Sequence, residues 1–341
     1  MERQDIVVIG ASAGGIEALS ELVSRLDPKM KASIFIVVHL PATATSVLPQ
    51  ILSRRGPIKA IHPVDGQRIE RGMIYVAPPD CHLMLGKKGI RLVRGPREHG
   101  VRPAVDPLFR SAALAFGERV VGVVLSGNLD DGTAGLEAIK NGGGRTIVQD
   151  PSEALYTGMI DSALRNGVAG ETLPVALIAA ELNDVIEAPE GGEEMPGKKE
   201  KVREEEKEVA IDSLEFGQLH GDDQPGIVSG FTCPECNGAL WELTASESLR
   251  FRCRVGHAYA VDSLLDQQKV SIENAFWIAL RALEERGALL RRLVVRAEKS
   301  GTKTNVRRYA EEQQAVASRA KALRDVILSG ILGGGADSIA S

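Results

Sequence analysis

The chain lacks the features that mark a nucleic-acid-binding, membrane-spanning or secreted protein. Its formal net charge is −5 and its pI is about 5.8, so it has no excess of positive charge for nucleic acid or an anionic membrane surface. It has no run of about 18 apolar residues, and no apolar segment follows the charged residues at the N-terminus. We therefore expect a cytoplasmic protein without direct membrane insertion or a nucleic-acid partner, acting on a protein or a small molecule.

Cysteine is also scarce. The chain has 4 cysteines in 341 residues, too few for a disulfide scaffold in a protein of this length. Three of them, Cys233, Cys236 and Cys253, lie close together, and His257 follows the last. The pattern C-x2-C followed by C-x3-H supplies two pairs of ligands, which suits a closed tetrahedral Zn²⁺ site with a structural role. We predict a zinc-ribbon-like module there and an ordinary free thiol at Cys81.

The first half of the chain alternates between short apolar runs and segments with the apolar spacing of helices. Residues 5–187 contain strand-like runs such as IVVIG, SIFIVVHL and VVGVVLSG, whereas Ile16–Leu26 and Leu173–Ile186 have helical spacing. The other strand candidates are MIYVAP, IRLVRG, RTIVQD and GVAG. This alternation predicts an α/β fold of three layers, a mostly parallel sheet with helices on both faces. In such sheets the active site lies at the carboxyl ends of the strands.

Composition divides the rest of the chain into further segments. Residues 188–226 begin with dense charge of both signs and almost no large apolar residue, so we predict a disordered linker in which only a marginal helix could form. Apolar residues recur at helical spacing in Ser271–Ala297, and again after a break at Ser300–Thr304, which predicts an antiparallel pair of helices. The predicted domains are a catalytic domain (1–187), the linker (188–226), the zinc-ribbon-like module (227–268), a helical hairpin (269–330) and a flexible tail (331–341).

The helical hairpin needs a surface to pack on, because two helices alone bury little apolar area. Two interpretations stay open. The hairpin packs on itself or on the cysteine module, or it forms a homodimer or docks on a partner.

The N-terminal turn contains a serine where a nucleotide-binding loop needs a glycine. Residues Asp5–Gly15 read DIVVIGASAGG, which is close to a dinucleotide fingerprint except that Ser12 stands where the backbone would approach a pyrophosphate. The glycine-rich turn alone favours a phosphate cradle. However, the next strand ends in His39 and not in the carboxylate that would bind a ribose, so the pair favours nucleophilic hydrolysis.

Serine hydrolysis needs a nucleophile, a base, a carboxylate that orients the base, and donors for the oxyanion. Ser12 is the candidate nucleophile and His39 the candidate base. The loop 127–132, after another apolar strand, offers the carboxylates Asp130 and Asp131. All these positions follow predicted strands of one sheet, so we expect them to meet at one edge. Rival bases without such a position are His62, His82 and His99.

Six sequence blocks resemble the catalytic domain of the chemotaxis receptor methylesterases, the CheB family. The blocks are GASAGG (10–15), HLP (39–41), IYVAPPDCHL (74–83), RPAVDPLFRSAA (102–113), VVLSGNLDDGTAGL (123–136) and QDPSEALYTGM (149–159). The resemblance covers 5–187 and implies a serine esterase that hydrolyses glutamate methyl esters on methylated chemoreceptors, with glutamine deamidation in some members. It implies that Ser12 is the nucleophile, His39 the base and Asp131 the orienting carboxylate, and we expect no cofactor for catalysis.

The chain departs from the family pattern at three places. Ala13 stands where the family usually has threonine, and Asn128 and Leu129 replace a Met-Gly pair in the loop whose backbone N–H is the expected oxyanion donor. Losing that glycine restricts the backbone, so a catalytically degenerate signalling module is the alternative to an esterase, and a nucleotide-binding protein comes third. The sequence also starts at the first catalytic strand and not at a receiver domain, so control by phosphorylation within the chain is not expected.

Overall fold

The structure is a computed structural model that describes residues 5–187, 199–213, 226–244 and 248–329. It divides into two compact units, residues 1–264 and 265–341. The first unit holds the α/β domain, one further helix and the cysteine module, and the second holds most of the two C-terminal helices. None of the described helices combines the length and apolar character that a membrane span requires.

A parallel sheet forms the centre of the first unit. The strands in the first half of the chain are β1 (Ile6–Ala11), β2 (Ser33–Val38), β3 (Lys59–Ile61), β4 (Met73–Val76), β5 (His82–Gly86), β6 (Gly89–Val93), β7 (Val120–Val124), β8 (Arg145–Gln149) and β9 (Glu171–Leu173). Seven of them form the sheet β3-β4-β2-β1-β7-β8-β9 with parallel pairing throughout, whereas β5 and β6 form a separate antiparallel hairpin. Every residue of β1, β2 and β7 is buried, as expected for strands covered on both faces.

Helices cover both faces of this sheet. They are α1 (Gly15–Ser24), α2 (Leu48–Arg55), α3 (Val105–Phe116), α4 (Thr133–Asn141), α5 (Gly158–Arg165) and α6 (Val175–Glu187). One hydrophobic core packs α1, α2 and α6 on the sheet and includes Leu19 and Leu182. The second packs α3, α4 and α5 on the opposite face and includes Phe109 and Leu136. The predicted three-layer α/β fold is confirmed.

One of the predicted strands is not a strand in the structure. The run GVAG (167–170) is not a strand, and β9 begins immediately after it, at Glu171. Gly167 has a left-handed φ of 65°, and the Val168 N–H donates to the Ala163 carbonyl at 3.1 Å. These residues therefore end helix α5, and glycine is common at such helix ends. The apolar pattern alone does not distinguish a helix end of this kind from a short strand.

The described part of the predicted linker is helical. Helix α7 (Lys199–Asp212) lies within 188–226, and Ile211 and Asp212 at its end are buried. The predicted disorder is therefore wrong for residues 199–213, because charged partners elsewhere in the chain replace the apolar contacts that the segment lacks. Residues 188–198 and 214–225 of the predicted linker, like the predicted tail 331–341, lie outside the described residues.

The cysteine module is an antiparallel sheet attached to the α/β domain. Its strands are β10 (Ile227–Thr232), β11 (Ala239–Glu242), β12 (Arg250–Cys253) and β13 (Ala258–Ala260), paired in that order. Leu240, Phe251 and Tyr259 form its small core. The His99 N–H donates to the Ala258 carbonyl at 2.8 Å, so β13 is tied to the loop that precedes α3.

A cluster of charged side chains joins the α/β domain, α7 and the cysteine module. This ion cluster consists of Arg110, Arg250, Arg252, Glu98, Glu208 and Asp212. Arg252 contacts Glu98 at 2.7 Å and Asp212 at 3.1 Å. Arg110 contacts the same two carboxylates at 2.5 and 2.6 Å. Three arginines face three acidic side chains, and loss of one member of such a buried network typically costs about 3–5 kcal/mol because a buried charge loses its partner.

Two long helices, α8 (Val261–Lys299) and α9 (Lys303–Leu328), follow the module. Within the second unit, Leu290 and Val316 are buried and Arg324 contacts Glu284 at 2.5 Å, as in the predicted helical hairpin. Helix α8 begins ten residues before the predicted start at Ser271. Its first turn belongs to the first unit and is held by polar contacts, so it lacks the apolar periodicity that marks the rest of the helix.

Candidate active site

Ser12 lies in the turn between β1 and α1, at the carboxyl end of the central strand. Its N–H donates to the Ser126 carbonyl at 2.9 Å, and its carbonyl accepts the Gly15 N–H at 3.0 Å. Gly14 has a left-handed φ of 70°, and a Cβ there would lie 2.7 Å from Ser126 Oγ and 2.8 Å from Leu155 Cβ. The turn therefore requires glycine at position 14, and it fixes the backbone of Ser12 against the residues that follow β7.

The structure brings Ser12, His39 and Asp131 into one hydrogen-bonded chain. His39 Nδ1 lies 3.0 Å from Ser12 Oγ, and His39 Nε2 lies 2.7 Å from Asp131 Oδ2. Because an ionised carboxylate only accepts, Nε2 carries the hydrogen and the lone pair of Nδ1 faces the serine hydroxyl. The His39 side chain is 16% exposed and that of Asp131 is 1% exposed. The carboxylate end of the chain is thus shielded from water, and the imidazole lies nearer the surface.

Asp131 is held by donors on both of its oxygens. Oδ2 accepts the Val105 N–H at 2.7 Å and Oδ1 accepts the Asp106 N–H at 3.0 Å, and the N-terminus of α3 favours an anion. Burial opposes the charge, but the charge of His99 and the hydrogen bond from His39 lower the pKa of Asp131 to about 2. The carboxylate is ionised at neutral pH, and its stabilising contribution is lost only as the pH falls from about 4 toward 2.

The loop between β7 and α4 lies against the serine. A Cβ on Gly127 would lie 2.9 Å from Ser12 Cβ and 2.1 Å from Met159 Sδ. Leu129 adopts a left-handed φ of 64°, the region that glycine enters without strain. Within the described parts of the chain, the Leu129 N–H donates to no other group. The backbone therefore keeps a glycine-like conformation without the glycine.

The four predicted metal ligands converge, with all ligand atoms within 4.8 Å of one another. The Sγ atoms of Cys236 and Cys253 are 3.6 Å apart. His257 Nδ1 lies 3.7 Å from Cys233 Sγ and 3.6 Å from Cys253 Sγ. Tetrahedral zinc with Zn–S bonds of about 2.3 Å separates its sulfur ligands by about 3.8 Å, so this spacing fits the ion. His257 Nε2 faces Glu235 at 3.5 Å, a partner that orients a ligating imidazole.

Two of the rival histidines bind backbone groups away from the serine. His62 Nδ1 contacts the Val76 carbonyl at 2.9 Å, and His82 Nε2 contacts the Pro96 carbonyl at 2.8 Å. Cys81 is a partly buried free thiol, as predicted. None of these groups belongs to the hydrogen-bonded chain of Ser12.

His99 is the residue that the sequence pattern missed. It is buried, with Nε2 2.9 Å from Asp106 Oδ2 and 3.5 Å from Asp131 Oδ1. It follows no apolar strand, and its backbone has a left-handed φ of 54°, so neither periodicity nor strand position marks it. The one available signal is its place shortly before the RPAVD block, which contributes Asp106.

Comparison with known proteins identifies relatives of the α/β domain. A family model described as CheB methylesterase matches residues 7–182. The chain is 37% identical over 183 residues to protein-glutamate methylesterase/protein-glutamine glutaminase 1 of Paramagnetospirillum magneticum, covering 52% of this chain and 48% of the relative. It is 36% identical over 190 residues to the protein of the same name, without a number, from Pyrococcus horikoshii, covering 54% of this chain and 52% of the relative. The chain thus spans about half the length of the curated relatives that it matches.

A solved structure matches the same part of the chain. It is the crystal structure of the Thermotoga maritima CheB methylesterase catalytic domain, with 31% sequence identity and a TM-score of 0.52. The match covers 54% of this chain and 99% of that one. The likeness therefore extends over the whole of the solved catalytic domain.

Proposed function

Because the chain belongs to the CheB methylesterase family, we propose that it is a protein-glutamate methylesterase. Its substrates are glutamate methyl esters on methyl-accepting chemoreceptors or related signalling proteins. The hydrogen-bonded chain of Ser12, His39 and Asp131 carries this proposal, since it supplies nucleophile, base and orienting carboxylate in contact. The names of the relatives from Paramagnetospirillum magneticum and Pyrococcus horikoshii describe this activity.

The first half of the proposed reaction forms an acyl-enzyme. Ser12 Oγ attacks the carbonyl carbon of the ester while His39 Nδ1 takes the hydroxyl proton. Backbone N–H groups, including that of Leu129, stabilise the charge that develops on the carbonyl oxygen. The acyl C–O bond then breaks, and the methoxy group leaves as methanol with the proton from His39.

The second half restores the serine. A water molecule gives a proton to His39 and attacks the acyl carbon, and the bond to Ser12 Oγ breaks as the proton returns to that oxygen. The product is a free glutamate side chain. A glutamine side chain would form the same acyl-enzyme with ammonia as the leaving group, so the proposal includes glutamine deamidation as a second activity of this site. The relatives' names, which include protein-glutamine glutaminase, support it.

Methanol release from receptor membranes tests the proposed activity. Membranes whose chemoreceptors carry labelled methyl esters should lose the label as volatile methanol when the full chain is added. Mass spectrometry of the receptor should then find glutamate at the demethylated positions. Receptors with alanine at the methyl-accepting positions are the control and should release nothing. Absence of release from receptors of several classes would contradict the proposal and favour the catalytically degenerate signalling module, the alternative that the Leu129 substitution raises.

We also propose that Cys233, Cys236, Cys253 and His257 bind a structural Zn²⁺. Their donor types and separations support it. An ion with four protein ligands has no open position for a substrate, so it would hold the turn after β10 to the turn between β12 and β13 and take no part in the esterase reaction.

Metal analysis and chelation test the zinc proposal. The purified chain should contain about one zinc per molecule, and removal of the ion should unfold the cysteine module, because formation of such a site supplies much of the folding free energy of small metal domains. Cys253→Ser should lose the metal, whereas Cys81→Ser, which changes a thiol outside the cluster, should keep it. The amide NMR signals of β11 and β12 report whether the module is folded. A zinc-free protein in which those signals show an intact module would contradict the proposal.

A homodimer through the C-terminal helices stays a prediction. Trp277, Ile278 and Leu289 in α8 are each half exposed or more, and exposed apolar side chains on a helix pair favour association. We propose this association as a further property of the chain, separate from the activity of the esterase site.

A further inference from the structure

His99 lies at the centre of a buried group of carboxylates behind the triad. Asp106 comes from α3, and Asp130 and Asp131 come from the loop between β7 and α4. His99 Nε2 is 2.9 Å from Asp106 Oδ2 and 3.5 Å from Asp131 Oδ1. His99 Nδ1 is 3.0 Å from Ser263 Oγ and 3.4 Å from Asp130 Oδ1. Each ring nitrogen of His99 therefore lies next to at least one acidic side chain.

The hydrogen bonds of Ser263 indicate that this ring is charged. Ser263 Oγ is in close contact with Asp130 Oδ1, and a carboxylate only accepts, so the hydroxyl proton belongs to that contact. His99 Nδ1 must then donate to Ser263 Oγ, while Nε2 donates to Asp106. A ring that donates from both nitrogens is an imidazolium.

The electrostatic surroundings agree with this assignment. Burial opposes the positive charge, but the charges of Asp131 and Asp106 and the hydrogen bonds of Asp106 and Asp130 raise the pKa of His99 well above its ordinary value. From β13, the Ala258 carbonyl accepts the backbone N–H of His99 at 2.8 Å, which adds no charge to the group. One cation therefore offsets part of the charge of three buried carboxylates.

The same cluster is unsuited to a metal ion. Glu98, His99 and Asp106 have ligand atoms close enough to hold one. However, Glu98 is occupied by Arg110 at 2.5 Å and by Arg252 at 2.7 Å, and two guanidinium groups beside the site repel a cation. An imidazolium also has no free lone pair on either ring nitrogen with which to bind a metal ion.

The start of helix α8 is bound to the same group. Asp130 Oδ2 accepts the Asp262 N–H at 2.8 Å and the Ser263 N–H at 3.2 Å. Asp130 is adjacent in sequence to Asp131. A movement of the first turn of α8 therefore changes the contacts of both Asp130 and His99.

We propose that His99 is a positioning residue: a permanently protonated imidazole that keeps Asp131 ionised and aligned behind His39, and that connects the first turn of α8 to the triad through Ser263 and Asp130. The inference rests on the proposed esterase function, because it assigns His99 a role in that reaction. His99 touches neither the substrate nor Ser12. It acts through Asp131, whose negative charge stabilises His39 when His39 takes a proton.

The protonation state of His99 is measurable without any assay of activity. The full chain contains 6 histidines, so ¹⁵N-histidine labelling gives a small set of ring signals. The His99 ring, assigned through its contact with Ser263, should still show two protonated nitrogens at pH 7, whereas exposed histidines lose a proton near pH 6.5. A neutral His99 ring at pH 7 would overturn the inference and leave the esterase proposal intact.

The variant His99→Gln separates charge from hydrogen bonding. Its amide can still donate to Asp106 but carries no charge. We expect kcat/KM for methanol release to fall about tenfold and the acidic limb of its pH profile to move upward by about half to one pH unit, because loss of a nearby cation makes protonation of the base easier. His62→Gln is the control, since His62 bonds to the Val76 carbonyl and belongs to neither the triad nor the group around His99. Its profile should match that of the native chain. A His99→Gln protein that folds and keeps the native pH profile would refute the positioning role.

Discussion

Replacement of Ser12 by alanine is expected to lower kcat/KM for methanol release by at least about a thousandfold. The hydroxyl is the atom that forms the acyl-enzyme, and no other nucleophile among the described residues contacts His39 in its place. The variant should fold normally. Among the described residues, Ser12 Oγ has one hydrogen-bond partner, His39 Nδ1. The partly exposed ring of His39 can bond to water when that partner is lost.

The control for this experiment is Ser20→Ala. Ser20 lies in α1, where its hydroxyl bonds to the Ile16 carbonyl, so its loss removes a serine from the same unit and leaves the triad unchanged. Rates for this variant should stay within about threefold of the native rate. Equal methanol release from Ser12→Ala and the native chain would sink the acyl-enzyme mechanism, whichever receptor serves as substrate.

The substitution Asp131→Asn should be nearly as damaging, with an expected loss of about a thousandfold or more. Unlike the carboxylate, the amide has one accepting oxygen and one donating NH₂ group, so its orientation matters. In either orientation the NH₂ group opposes a backbone N–H, that of Val105 at Oδ2 or that of Asp106 at Oδ1. At Oδ1 it would also oppose the His99 ring, whose Nε2 lies 3.5 Å away and donates. At Oδ2 the His39 ring can change its tautomer and accept a hydrogen bond. The NH₂ group should therefore face His39. His39 Nε2 would then accept a hydrogen bond, Nδ1 would carry the hydrogen, and the ring could no longer take the proton of Ser12.

Asp150→Asn provides the matched control for that prediction. Asp150 follows β8 at the same edge of the sheet, but its carboxylate accepts the Ser152 N–H at 2.8 Å and the residue is only partly buried. Its conversion to an amide should leave the rate within about threefold. A measured kcat/KM for Asp131→Asn within tenfold of the native value would show that Asp131 does not set the tautomer of His39.

The sheet and the three triad positions were predictable because strand periodicity is a local property. β1, β2 and β7 are continuous apolar runs, and Ser12, His39 and the 127–132 loop follow them directly. Parallel strands that neighbour one another in a sheet bring such positions to one edge. The choice of Asp131 over Asp130 came from the family resemblance, since the two adjacent carboxylates cannot be distinguished by pattern.

Helix α7 was unpredictable for the opposite reason. Most of its residues are charged, and the residues that stabilise it, Arg110 and Arg250, are 102 and 42 positions from their partners Asp212 and Glu208. Hydropathy treats a run of charge as solvated. Buried arginines elsewhere in the fold pair with these charges and stabilise the helix. The sequence of the segment itself gives no sign of these distant partners.

The environment of His99 was hidden by the same long separation. Ser263, which identifies the ring as an imidazolium, lies 164 residues from His99. By contrast, the four ligands of the cysteine module were predicted from spacing alone, because two short motifs bring each pair of donors together locally. Sequence patterns therefore located groups that a local signal marks, whether the end of a buried strand or a short cysteine motif. They missed the ion cluster and the partners of His99, which no local signal marks.

The ion cluster restricts how this chain can have been assembled from parts. A module attached through apolar contacts can be exchanged for another of similar shape. An interface of hydrogen-bonded ion pairs also requires each charged group to meet a group of opposite charge in the right orientation. Arg252 on β12 meets Glu98 in the α/β domain and Asp212 on α7, so a change at one of these positions creates an unpaired charge unless the others change with it. The cysteine module, α7 and the esterase domain should therefore be inherited as one unit, with Glu98 and Arg252 changing together across related chains.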